Sequence, residues 1–258
     1  MNLLLIAGHG AGDPGATSNG YQEAVETRRV VQALAGVLKD YCNVSQYPTG
    51  RNAYSDYKNG QLLATAKFAQ YHYVLEIHFN AYMATRTDGV TMGVECYVPT
   101  AEGNTTTETA LCSNLAKLGL KNRGVKKKDY SVIWSARKQG TRAALLEVCF
   151  IDDPDDMRLY GSWFAQVVQA IAKSIMDGFG LQWLEQEQEE AMTGKEIYEK
   201  LNEYTATLPV PEWAEKELAE AKDAGITDGT NAMQLIPRYQ AALMAHRAVQ
   251  AAVGQKKG

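Results

Sequence analysis

The sequence predicts an α/β fold: an open, mostly parallel sheet flanked by helices, followed by a small C-terminal helical module. Three observations carry this. The run Leu3-Leu4-Leu5-Ile6-Ala7 is continuously apolar and stops at Gly8, the pattern of a strand buried on both faces of a parallel sheet. Short apolar runs of this kind alternate with helical periodicity as far as Gly178. Beyond residue 181 the composition turns rich in Glu and Gln before three amphipathic stretches close the chain.

In order, the first strand leads into a Gly-rich loop, Gly8 to Gly20, and then into a helix from Gln22 to Asp40 whose Val25, Val30, Val31, Leu34 and Leu38 form an apolar face. Val44 to Tyr47 reads as a strand, Gln61 to Gln70 as a helix and Tyr73 to His78 as a further strand. Gly93 to Val98 is a strand, Thr105 to Leu118 a helix behind a Thr-rich turn, and Ala143 to Val148 another apolar strand. Asp153-Pro154-Asp155-Asp156 then opens a helix that reaches Gly178, with an acidic N-cap, Pro at the first helical position and carboxylates in the first turn. These elements make a domain of residues 1–180.

Leu181 to Met192 holds four Glu and no basic residue, so residues 181–194 read as a solvated linker. Residues 195–258 follow as a small helical module built from Lys195 to Tyr204, Glu212 to Ala224 and Pro237 to Val253, separated by Pro209, Pro211 and the turn Gly225 to Gly229. A unit of that size supports only a marginal core of its own.

The 258 residues carry 26 Lys and Arg against 30 Asp and Glu, a net charge of −4. No basic surface is available to neutralise many phosphates, which excludes nucleic acid as a partner. The four cysteines form no C-x-x-C pair and read as reduced thiols. The apolar start has no basic stretch before it and breaks at Gly8, well short of the ~20 apolar residues a membrane span needs. The expectation is a protein made in the cytoplasm without a signal peptide, not inserted in a membrane, that reaches any external site by another exit route.

Gly10-x-Gly12-x-x-Gly15 has the spacing of a dinucleotide-binding loop, but Pro14 interrupts it and the helix begins only near Tyr21. The second strand also ends in Gln46-Tyr47-Pro48, without an acidic residue for a ribose hydroxyl. His9 is more informative. It stands just beyond the first strand, at the end where open α/β sheets place ligands, and His78 stands at the equivalent end of another strand. Glu23, in the first turn of the first helix, reaches the same crevice. Two His and one Glu make a catalytic zinc set that leaves a position for water. The plain alternative, turn or core histidines beside a favourable first-turn carboxylate, is equally supported by spacing alone.

Glu147 ends an otherwise apolar strand, where a carboxylate is costly unless paired or used. Asp152, Asp153, Asp155 and Asp156 compete for the same role and are better explained by helix capping. Cys149 alternates with Glu147 along one strand face and reads as a buried thiol in preference to a nucleophile. His72 and His246 read as structural or solvated, and Lys126-Lys127-Lys128 as a solvated turn.

Taken together, Leu5-Ile6-Ala7-Gly8-His9-Gly10, Gly12-Asp13-Pro14-Gly15-Ala16, Glu23, Glu76-Ile77-His78-Phe79-Asn80-Ala81 and Leu146-Glu147-Val148-Cys149-Phe150-Ile151 resemble the zinc-dependent N-acetylmuramoyl-L-alanine amidases of the amidase-3 type, over about residues 1–180. The resemblance implies zinc held by His9, Glu23 and His78, Glu147 as the catalytic carboxylate, Asn80 helping to orient the site or substrate, and bacterial peptidoglycan as the substrate. Ala7 stands where that family commonly has an acidic residue, and Ala11 where it has a glycine. A zinc peptidase acting elsewhere on the stem peptide and an inactive wall-binding protein are the alternatives. In the small module, Pro211-Glu212-Trp213-Ala214, Ala224-Gly225-Ile226-Thr227-Asp228-Gly229 and Pro237-Arg238-Tyr239-Gln240-Ala241-Ala242 resemble a degenerate S-layer homology unit, which implies binding to a secondary cell-wall polymer. An amidase with such an appendage is similar to a phage or prophage endolysin, released to the wall when a holin opens the membrane.

Overall fold

The computed structural model describes residues 1–82, 87–182, 194–227 and 245–246. The chain divides into two compact units, Met1–Leu184 and Glu185–Gly258, and the boundary falls inside the Glu- and Gln-rich segment.

The first unit is an α/β sandwich. Its strands are β1 (Asn2–Ala7), the short pair β2 (Thr17–Ser18) and β3 (Tyr21–Gln22), β4 (Asn43–Gln46), β5 (Tyr73–Asn80), β6 (Val94–Val98), β7 (Asn122–Lys127) and β8 (Arg142–Phe150). Its helices are α1 (Glu23–Leu38), α2 (Ala53–Lys58), α3 (Leu62–Thr65), α4 (Thr106–Ala116), α5 (Ser131–Lys138), α6 (Pro154–Ser162) and α7 (Phe164–Gly178). The main sheet has six strands in the order β4-β1-β5-β8-β6-β7. The first four are parallel, β6 pairs with β8 antiparallel, and β7 follows β6 in parallel.

The continuous apolar runs are explained by two cores, one on each face of the sheet. Leu3 and Leu5 of β1 and Tyr73, Leu75 and Ile77 of β5 point to the larger core, shared with Val30 and Leu34 of α1, Leu111 of α4 and Ile171 of α7. Leu4, Ile6 and Val74 point to the smaller one, with Leu62, Val132 and Ile133. Each fully buried Leu or Ile contributes ~1.5–3 kcal/mol by leaving water. Strict alternation along β1 therefore fixes which side chains of the parallel neighbour β5 face which core.

Several expectations change. Val25, expected on the buried face of α1, is 55% exposed. The helix expected from Gln61 to Gln70 is only α3 and a 3₁₀ turn, Phe68–Gln70. The helix expected to run from Asp153 to Gly178 breaks at Trp163, just after Gly161 and Ser162, which are weak helix formers. Lys126 and Lys127 lie in β7 instead of a turn, because Lys126 carries its charge onto the buried Glu95 of β6. The short helices α2 and α5 were not expected.

In the second unit, α8 (Gly194–Ala206) and α9 (Glu212–Asp223) occupy two of the expected helical stretches. The linker between Gln182 and Gly194, the end of the Gly225 to Gly229 turn, and the Pro237 to Val253 helix apart from Ala245 and His246 lie outside the described residues.

Helices α4 and α7 come into close contact at Gly178, where an added Cβ would lie 2.0 Å from Thr107 Oγ1 and 2.8 Å from its Cβ. Ala in place of a helical Gly normally stabilises by ~0.5–1 kcal/mol, whereas overpacking a buried contact costs ~1–3 kcal/mol. Gly178→Ala is therefore expected to destabilise the unit, read as a lower urea midpoint; a raised midpoint would show that α7 moves aside freely.

Candidate active site

The site is built first from backbone. Where β1 ends, the Gly8 amide donates to the Ile77 carbonyl of β5 at 2.9 Å, and the chain then turns sharply through Gly10 and Asp13, whose amides and carbonyls pair at 2.7 and 3.1 Å. His9 and Ala11 adopt left-handed φ values of 60° and 51°. Such a conformation costs a non-glycine residue on the order of 1 kcal/mol and persists only where neighbours enforce it. Arg28 of α1 is the enforcer. Its guanidinium donates to five carbonyls, those of Gly8, His9, Ala24, Thr49 and Arg51, at 2.9–3.3 Å. Gly10 must be glycine partly for this reason, since a Cβ there would fall 1.8 Å from an Arg28 nitrogen.

Helix α1 begins without a side-chain cap; the loop supplies carbonyls instead, Ala16 to the Glu23 amide and Pro14 to the Ala24 amide. This places Glu23, 3% exposed, under the ends of β1 and β5. Oε1 accepts from the Phe79 amide at 3.0 Å and lies 3.0 Å from His78 Nδ1. Oε2 accepts from the Ala16 amide at 3.0 Å and lies 3.1 Å from His9 Nε2. One donor atom each from His9, Glu23 and His78 falls within 4.8 Å of the others, the one such group among the described residues. The three residues expected from sequence are thus brought together.

The far nitrogen of each ring also has an acidic neighbour. His9 Nδ1 is 2.8 Å from Asp13 Oδ2, which in turn accepts from Asn52 Nδ2 at 3.0 Å. His78 Nε2 is 3.3 Å from Glu76 Oε1. Burial works against a proton on either ring, but the hydrogen bonds and charges of Glu23, joined by Asp13 for His9 and by Glu76 for His78, outweigh it. They hold His9 above, and His78 well above, the ordinary histidine pKa. Burial likewise opposes charge on Glu23, and the two rings override it, keeping the carboxyl below the usual carboxylate range. Two imidazoles and one carboxylate, oriented by further carboxylates, fit zinc's preference for mixed nitrogen and oxygen donors in a catalytic site with an open fourth position.

Glu147 lies opposite His78 in the β5–β8 register, and both line a cleft of about 200 Å³ walled by Tyr54, Tyr130, Val132 and Leu145. Its Oε2 is buried without a hydrogen-bond partner. Burial, with Glu23, Glu95 and Glu76 nearby, pushes its pKa up to about 7 against the pull of His78.

Other residues are placed differently. Asn80 turns to Glu95, donating to Oε1 at 2.8 Å. Cys149 does not share the face of Glu147: the register shifts between His78 and Asn80, and both Val148 and Cys149 turn into the larger core. Asp153 caps α6 as expected, accepting from the Asp155 and Asp156 amides at 2.9 Å. Asp152, Asp155 and Asp156 accept from the backbone amides of Tyr82, Asp88, Gly89 and Gly93, and so hold those residues beside the start of α6. His72 Nδ1 accepts from the Asn2 amide, a strut at the opposite end of the sheet, and His246 is exposed. Sequence reasoning missed Arg28, Asn52, Glu76 and Glu95 as supports. Glu76 and Glu95 carried a signal, being carboxylates inside apolar strands.

Residues 3–177 match the family model described as N-acetylmuramoyl-L-alanine amidase. The chain is 27% identical to the endolysin of Bacillus phage SPP1 over 68% of its own length and 65% of that protein's. It is 30% identical to the N-acetylmuramoyl-L-alanine amidase CwlM of Bacillus licheniformis, over 69% of this chain and 67% of that one. Among solved structures, the catalytic domain of CwlV, an amidase of the same type from Bacillus (Paenibacillus) polymyxa var. colistinus, superposes with a TM-score of 0.58 at 20% identity, covering 70% of this chain and 99% of that one. The N-acetylmuramoyl-L-alanine amidase of Clostridium difficile 630 gives 0.56 at 18% identity, covering 69% and 96%.

Gly8 supplies a test of the geometry. Its φ is not left-handed, yet an added Cβ would lie 2.4 Å from the His78 ring. Gly8→Ala is expected to displace His78 and weaken binding of a divalent metal by about tenfold or more in a calorimetric titration; native affinity would mean that the ring is not held where the structure sets it.

Proposed function

The chain belongs to the N-acetylmuramoyl-L-alanine amidase family, and on that premise we propose that it hydrolyses the amide between the lactyl group of N-acetylmuramic acid and the L-alanine of the stem peptide in bacterial peptidoglycan. The observation that carries the reading is that His9, Glu23 and His78 converge beside a partnerless Glu147 oxygen in one cleft, all within the matched residues 3–177.

His9, Glu23 and His78 would hold a zinc ion, whose chemistry there is to acidify a water and polarise the scissile carbonyl. The remaining work falls to the chain. Glu147, kept free of hydrogen bonds at Oε2 and with its pKa pushed up to about 7, takes the proton of the attacking water and then delivers it to the departing alanine nitrogen. Tyr54, Tyr130, Val132 and Leu145 enclose the reacting groups and limit the water around Glu147. Asn80 acts indirectly, through Glu95, on the strand that pairs with that of Glu147.

The second unit is proposed as an appendage that binds a secondary wall polymer. Ile197, Tyr198, Leu201 and Tyr204 recur on α8 at helical spacing and remain 44–62% exposed, as does Trp213 of α9 at 79%. Likeness to a phage endolysin supports action on the host wall after release through a holin.

Glu147→Gln keeps the shape of the side chain but accepts no proton. The variant is expected to bind zinc normally while hydrolysis of purified peptidoglycan falls by ~10²–10⁴. Loss of zinc with activity would make Glu147 a ligand, and near-native activity would place the base elsewhere. Because the ionised form is the active one, kcat/KM is expected to fall about tenfold per pH unit below about 7 and to level off above it; a profile flat from pH 5 to 8 would contradict the assignment. A chain ending at Leu184 is expected to cleave soluble muropeptides at the native rate while adsorbing less to isolated walls. Undiminished adsorption would remove the polymer-binding role.

A further inference from the structure

Glu76 is a buried carboxylate that the proposed reaction does not use. It is two residues before His78 on β5, so both side chains leave the same face of the strand. Its register neighbours are Ile6 of β1 and Leu145 of β8, and Val74 precedes it on that face. All three are 5% exposed or less, and Glu76 itself is 4% exposed. An ionised group among aliphatic side chains is strongly disfavoured unless a donor meets it. The donor the structure provides is His78, whose Nε2 lies 3.3 Å from Glu76 Oε1 while the opposite nitrogen, Nδ1, faces Glu23 Oε1 at 3.0 Å.

From this arrangement we infer that Glu76 is a positioning residue for the metal centre: it accepts the Nε2 proton of His78, fixing the ring so that the Nδ1 lone pair faces the ion beside Glu23. Asp13 stands in the mirrored relation to His9, accepting at Nδ1 and leaving Nε2 to the centre. The two rings would therefore offer the ion different nitrogens, and each has its own carboxylate behind it. Asp13 is itself anchored by Asn52 and by the Gly15 amide, in a loop. Glu76 is anchored by the strand, so its hold on His78 requires no further side chain.

The inference rests on the zinc reading above, and the test separates the two. Zinc affinity of the full-length chain is measured by competition with a chromogenic chelator for the native protein, Glu76→Ala and Glu76→Gln. Histidine ring 15N–1H correlations are recorded for the zinc-loaded native protein. Glu76→Ala is expected to lose ~10–100-fold in affinity. Glu76→Gln, whose amide oxygen still accepts from Nε2, is expected to recover most of that loss. The His78 ring should carry its proton on Nε2 and show the metal-bound shift on Nδ1. Native affinity in Glu76→Ala, a Gln variant as weak as the Ala variant, or a proton on Nδ1 would each overturn the inference while leaving zinc binding in place. If Glu76→Ala does not fold by circular dichroism, the Gln variant and the ring spectrum still decide. Failure of the native chain to bind zinc would overturn the metal reading itself, and this inference with it.

Discussion

Everything in the catalytic unit that bears on chemistry is referred to one carboxylate, that of Glu23. Its two oxygens meet four groups, the His9 and His78 rings and the amides of Ala16 and Phe79. These come from the loop after β1, from β5 and, through Glu23 itself, from α1. A single buried side chain thus fixes the distance between two strand ends and the helix that crosses them. Each oxygen takes one backbone amide and one imidazole, so the carboxylate plane cannot turn without breaking a bond to the main chain. Arg28, one turn further along the same helix, then binds the other side of the His9 loop. Helix α1 therefore packs the larger core with one face and holds the site in place from its first turns.

The cleft gathers carboxylates, and the sheet gives each a different fate. Glu95 and Glu147 lie directly opposite one another on antiparallel strands. Glu95 is surrounded by donors: Arg123 and Lys126 share one oxygen, while Asn80 and Tyr97 take the other, and the cations hold it ionised against the cost of burial. Glu147 receives none of these at Oε2 and faces the negative charge of its neighbours. Two identical side chains one strand apart thereby acquire opposite proton affinities: both are buried, but only Glu95 has donors and cations to offset the burial.

What could be read from the sequence follows from which interactions are local. Leu3 to Ala7 is legible because a strand between two cores must be apolar at every position, and His9 because that strand has to end where its apolar run ends. Glu147 is legible because a carboxylate interrupts such a run. The elements that were missed are those whose reason lies elsewhere in the chain. Strand β7, Asn-Arg-Gly-Val-Lys-Lys, is an edge strand whose lysines keep it from pairing further and whose Lys126 answers to Glu95, so its own composition reads as a turn. Helices α2 and α5 are six and eight residues long, too short for periodicity to declare itself. Cys149 was assigned to the wrong face because alternation assumes an unbroken register, and the shift after His78 breaks it.

The donor set also settles how the centre fares under oxidation. The three residues that could hold a metal offer only nitrogen and oxygen, so the group contains no thiolate for peroxide or molecular oxygen to attack. Three of the four cysteines, Cys96, Cys112 and Cys149, are enclosed in the larger core, where burial pushes their thiols up and leaves almost none ionised, and the half-buried Cys42 packs against the same core with its thiol also raised by burial. A site arranged in this way keeps its donor atoms chemically unchanged whether its surroundings are reducing or oxidising.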